Sequence, residues 1–109
     1  MKDIIDRLCE LTEQGELKWE GGYDTWSERY SYRTRIDGDD EKVVGVQRAD
    51  NSHYILSSNG MGIDMQLDAK RLFDIVSMQV ANEDAERRAS RAIFVTKHLR
   101  SWLGIEGKG

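Results

Sequence analysis

Five of the nine aromatic side chains, Trp19, Tyr23, Trp26, Tyr30 and Tyr32, fall within fourteen residues and are interleaved with Glu20, Asp24, Glu28, Arg29 and Arg33. Tryptophan, tyrosine and arginine dominate the anchors of protein interfaces because each joins a large contact area to a polar handle. The segment therefore reads as a recognition surface. Trp19, Tyr30 and Tyr32 have a competing use, filling the gap between a helix and a sheet, which leaves Tyr23 and Trp26 as the displayed pair on a glycine-flanked loop.

Arg29, Arg33 and Arg35 alternate along one strand face, and Lys42 or Arg48 can extend them into a patch. Guanidinium groups in that pattern suit phosphate, carboxylate or an acidic protein groove, and with aromatic platforms they can clamp a nucleotide. The competing reading is a solvated outer face whose charges pair across strands. The last helix is also locally basic, with Arg87, Arg88, Arg91, Lys97 and Arg100 against Glu83, Asp84 and Glu86. That pattern fits a solvated helix face or docking on an acidic partner.

Other constellations carry no chemistry. Asp37, Asp39, Asp40 and Glu41 lack the ligand alternation, central glycine and distant glutamate of a calcium loop and read as a turn. His53 and His98 have no Cys or His at metal spacing, so no metal site is expected. Ser57-Ser58-Asn59-Gly60-Met61-Gly62 lacks the Gly-Lys-Ser/Thr ending of a phosphate loop. Cys9, the single cysteine, cannot form an internal disulfide and has no evident activating neighbour. With no nucleophile and base pairing, no catalytic residue and no cofactor is expected.

The chain has 109 residues, enough for one domain, with 16 basic and 20 acidic side chains and a formal charge of −4. That balance speaks against nucleic acid as the direct target. No stretch approaches the roughly 20 apolar residues that span a bilayer, and Asp3, Asp6 and Glu10 do not suit a signal peptide. A cytoplasmic protein without a membrane partner is the expectation.

Positioning these residues requires an α+β fold. Residues 2–14 form an amphipathic helix ended by Gly15, and Leu17 and Trp19 suggest a short extended piece before Gly21-Gly22 releases the chain into a loop. Alternation then predicts a four-stranded antiparallel meander: 28–36, Val43 to Val46, Tyr54 to Leu56, and Met61 to Leu67. Asn59-Gly60 is the preferred hairpin pair before the fourth strand. Asp68 is placed to cap the next helix, whose wide apolar face of Ala69, Leu72, Phe73, Val76 and Val80 should cover the sheet.

Residues 67–103 contain no Gly or Pro. One helix of that length spans roughly 55 Å, far beyond a compact chain of this size. Either one long helix or two consecutive helices follow, and the lapse of the apolar pattern at Asn82-Glu83-Asp84 favours a break or bend there. Gly104 ends the segment, and Gly107-Lys108-Gly109 should fray. Small Ala85, Ala89 and Ala92 permit close helix approach, while Phe94, Leu99 and Trp102 need cover. A homodimer or hetero-complex through this helix is therefore expected, with Arg88, Arg91 and Trp102 as contacts.

Thr12, Gly15, Leu17 and Trp19, then Tyr54, Leu56, Ser58, Gly60 and Ile63, then Leu72, Phe73, Val76, Gln79 and Val80 form a pattern over about residues 4–80. In it the chain resembles small uncharacterised proteins from bacteria, prophages and phages. The resemblance implies an architecture and a genomic neighbourhood but no catalytic residues, and the C-terminal helix lies outside it. Together these readings point to a noncatalytic protein-binding module, its concrete form being a phage or prophage inhibitor of a bacterial defence system such as an anti-CRISPR protein. The alternative is a small-ligand or nucleotide-binding domain built on the arginine strand.

Overall fold

The computed structural model of the chain describes residues 1–105. The expectation that Gly107-Lys108-Gly109 fray lies outside them. Helix α1, Lys2–Glu13, buries Ile5, Leu8, Cys9 and Thr12; of the apolar side that spacing marks out, Ile4, Ile5, Leu8, Leu11 and Thr12, Ile4 stays exposed, and Cys9 is buried instead. It stops at Gly15, whose φ of 77° is open to glycine at little cost, while the Glu16 and Leu17 amides both turn back to the Leu11 carbonyl.

Five antiparallel strands follow in simple meander order: β1 Glu20–Asp24, β2 Arg29–Arg35, β3 Val43–Arg48, β4 Tyr54–Ser58 and β5 Met61–Asp64. The α+β class holds, but the sheet has one strand more than expected. The extra strand is β1, which contains the Gly21-Gly22 pair read as a loop. Gly21 is needed there because a Cβ would collide with the Ser31 carbonyl of β2. The expected final strand also ends early, at Asp64. The Asp64 carboxylate accepts the Gln66 amide, Gln66 takes a φ of 52°, and Met65 turns into the core while Leu67 stays exposed. At Asn59-Gly60 both residues have positive φ, as the two-residue hairpin demands. The Asn59 side chain also bonds the Val43 amide and the Glu41 carbonyl.

A 3-10 turn, Gln66–Ala69, leads into helix α2, Lys70–Trp102. Ala69 occupies the N-cap and no side chain caps the helix, so Asp68 does not play the expected role. Nor is there a break near Asn82, since α2 is continuous over 33 residues. Asn, Glu and Asp cost only a few tenths of a kcal/mol each in an exposed helix interior, and Glu83 and Asp84 gain partners in Lys18 and Arg87.

One face of the sheet is covered by the first third of α2, and α1 packs alongside that part of α2. Tyr32, Val46, Tyr54 and Leu56 meet Leu72, Phe73 and Val76, and Phe73 packs edge-on against Tyr32 at 5.5 Å. Trp19 closes the core where the strands, α1 and α2 converge. Its indole N–H donates to Thr12 Oγ1 at 2.9 Å, and Thr12 in turn donates to the Leu8 carbonyl. Gln79 of α2 completes this junction by accepting the Trp19 amide at 2.9 Å and donating to the Leu17 carbonyl at 2.8 Å. After Glu83 no residue of α2 is buried. The helix leaves the head as an arm, giving dimensions of 59 × 29 × 23 Å and a radius of gyration of 18.4 Å, against about 13 Å for a compact chain of this length. Among the described residues no helix is long and apolar enough to cross a membrane.

Burial raises the Cys9 thiol above its ordinary value of 9.0. Native protein should therefore resist alkylation at neutral pH and react only after unfolding, a difference that mass spectrometry would register. Replacing Gln79 with Ala leaves the Trp19 amide and Leu17 carbonyl unpartnered, and urea denaturation should show a loss of about 1–3 kcal/mol.

Candidate functional site

The residues singled out in the sequence occupy three separate places. Tyr23 and Trp26 belong to the β1–β2 hairpin. Arg29, Arg33 and Arg35 lie on the outer sheet face. Arg88, Arg91 and Trp102 project from the arm of α2.

The hairpin pairs Asp24 with Arg29 and turns through residues 25–28. Asp24 shapes that turn with both carboxylate oxygens, one accepting the Trp26 amide and the other the Ser27 hydroxyl, each at 3.0 Å. Glu28, at φ 56°, closes the loop. Trp26 is thereby carried on a defined turn while its ring stays 95% exposed. Tyr23 lies directly opposite Tyr30, and their rings meet edge-on at 5.2 Å. Tyr30 is thus exposed beside Tyr23, whereas Trp19 and Tyr32 fill the core as expected. The Arg48 guanidinium bridges surface and interior, 5.5 Å from the Tyr30 ring and 5.9 Å from that of Phe73. Arg48 therefore does not extend the outer arginine patch. Its register opposite Tyr30 and Tyr54 puts it on the inner face, which the spacing Val44, Val46, Arg48 already encodes.

On the outer face, charges pair across strands. Arg33 Nε meets Glu20 Oε1 at 3.1 Å, and Arg35 Nε meets Asp40 Oδ1 at 2.7 Å. Both arginines line an open cleft of about 680 Å³ between the start of β1, the loop after β2 and the departing α2. Lys18 and Arg87 enter the same cleft, but so do Glu16, Glu20, Asp40 and Glu83. Each cation is matched by an acid, so the cleft presents no net positive charge to an anionic ligand. Lys18 and Arg87 were not among the expected site residues, because their meeting depends on where α2 leaves the head.

Along the arm, Phe94, His98 and Trp102 stack at four-residue spacing, with ring centroids 4.2 and 6.0 Å apart. His98 Nδ1 donates to the Phe94 carbonyl at 2.9 Å. No family model matches the chain, nor does any curated protein or solved structure.

At the far edge of the sheet, His53 Nδ1 lies 2.7 Å from Asp64 Oδ2. The hydrogen bond to Asp64 raises the His53 pKa above 6.5, while the Gln66 amide and then His53 lower that of Asp64. A raised histidine pKa stabilises the fold fully below the unfolded value and loses that contribution as pH rises through the folded value. By NMR, His53 should titrate above 6.5, and Asp64→Asn should bring its midpoint down towards that ordinary value.

Proposed function

We propose that this protein is a noncatalytic protein-binding module whose primary contact is the β1–β2 hairpin. The observation that carries the reading is the Trp26 ring, held on an Asp24-braced turn and almost wholly exposed. Leaving an indole in water forgoes the favourable burial that this side chain gains in a core or interface, and a braced turn reduces the ordering entropy that binding costs. Tyr23 and Tyr30 extend the contact area beside it, and Arg48 adds charge at its inner edge.

The arginine strand supports a ligand site less well, because Arg33 and Arg35 are already engaged by Glu20 and Asp40. Nucleic acid is disfavoured by the formal charge of −4. In concrete form, the module acts in the cytoplasm as a phage or prophage inhibitor of a bacterial defence complex, in the manner of an anti-CRISPR protein. That form follows from the resemblance to phage and prophage proteins together with a surface suited to occluding another protein.

A tagged pull-down from bacterial lysate, with wild type and the Tyr23→Ala/Trp26→Ala double variant side by side, tests the assignment. Both side chains lie outside the buried core, so the double variant should unfold within about 0.5 kcal/mol of wild type. It should nonetheless lose the retained protein by at least tenfold in affinity, since aromatic anchors that act as hot spots contribute about 2 kcal/mol or more. Equal retention by the two proteins would remove the hairpin from the contact.

A further inference from the structure

We infer that the arm of α2 pairs antiparallel with the arm of a second copy of this chain, Asp84 of one beside Leu103 of the other. This goes beyond the hairpin contact and does not rest on it. The arm is well supplied with apolar side chains that its own head never covers, Trp102 being 75% exposed. Ile93 and Phe94 lie to either side, but most of the others share one line. Ala85, Arg88, Ala92, Val95, Leu99 and Trp102 follow alternating three- and four-residue steps, the 3.5-residue period by which one helix packs along another.

Three features select a reversed second copy as the occupant. The first is size. The base of the stripe is small at Ala85 and Ala92 and its tip bulky at Leu99 and Trp102, so reversal sets Trp102 over Ala85 and Val95 over Ala92. A parallel pair would stack bulk on bulk and leave the alanines apart. The second is charge. The base of the free arm, residues 84–88, balances Asp84 and Glu86 against Arg87 and Arg88, whereas the tip, residues 96–103, carries Lys97 and Arg100 and no acid. Reversal sets the cationic tip against the balanced base, whereas a parallel pair would place Arg88 against Arg88 and cationic tip against cationic tip. In the reversed pair Arg88 lies against Leu99, its aliphatic stem on the apolar surface and its guanidinium free to reach water. The third is length. The unsupported arm begins just after the Lys18–Glu83 ion pair, so matching Asp84 to Leu103 uses the free arm of each copy, roughly 30 Å, without running the tip onto the partner's head.

Disulfide trapping tests the orientation, with buried Cys9 left in place and wild type as control. Ala85→Cys and Trp102→Cys proteins, each alone and then mixed, are oxidised and resolved without reductant. Their Cα atoms must come within about 7 Å to join. The mixture should yield a covalent dimer linking one variant to the other, with neither variant joining to itself. Self-linked Trp102→Cys dimers, or no link in the mixture, would overturn the antiparallel arm. Sedimentation provides the second readout. Wild type should pass from monomer to dimer with concentration, and Leu99→Lys, outside the head core, should weaken that dimer at least about tenfold by setting a second cation against Arg88 of the other copy. A wild type that sediments as a monomer at every concentration overturns the proposal as well.

Discussion

The shape of this molecule depends on one junction, where Gln79 of α2 is held against the segment that joins α1 to β1. Its side-chain oxygen accepts the Trp19 N–H, and its Nε2 donates to the Leu17 carbonyl and, at 3.4 Å, to the Thr12 carbonyl. Thr12 in turn receives the Trp19 indole N–H. Backbone groups that an irregular connector would otherwise leave without partners are thereby satisfied by a helix residue 60 and 62 positions away in sequence. Thr34 adds a bond to the Lys18 carbonyl, so β2 grips the same connector. Since α2 is straight enough to keep its path through Asn82, fixing it at Gln79 and at Glu83 also fixes the direction in which the arm departs. The residues of the spaced pattern read over 4–80, Thr12, Leu17, Trp19, Phe73, Val76 and Gln79 among them, are largely the ones that build this junction and the core around it.

Much of the fold was legible because its signals are local. Helical spacing marks the buried side of α1, alternation marks β2, and the Asn59-Gly60 pair marks a hairpin whose two positive φ values few other pairs accept. What escaped the sequence depends on distant partners. Gly21-Gly22 reads as a chain breaker until β2 is seen to approach too closely for a Cβ. Asn82-Glu83-Asp84 reads as a new helix start because its side chains favour caps, yet a helix already nucleated in the core passes through them at little cost. Arg48 belongs by alternation with Val44 and Val46, and only its charge argued for placing it outside. The cleft formed by Lys18, Arg33, Arg35 and Arg87 could not be foreseen, because it exists only where α2 crosses the start of β1.

The distribution of satisfied and unsatisfied surface separates the functional readings. Arg33 and Arg35, the most suggestive charges in the sequence, have nearby acids that answer them. The large apolar groups do not share that fate: among the described residues, Trp26 at one end and Phe94, Leu99 and Trp102 along the arm stay between 45% and 95% exposed. On the function proposed above, recognition rests on apolar contacts at two sites, the hairpin and the arm, with charge setting orientation. The hairpin suits a rigid contact, since Asp24 holds its turn. The arm suits a contact that stabilises the helix itself, since nothing else packs against it.

Hydrogen exchange along α2, followed at low and high protein concentration, addresses this division most directly. If the junction at Gln79 anchors the helix and the arm depends on a second chain, amides of residues 74–80 stay protected at both concentrations. Those of residues 88–102 exchange quickly when dilute and slow markedly when concentrated. Protection that is equally high along the whole of α2 and indifferent to concentration would mean that the arm is stable by itself, and would contradict the account.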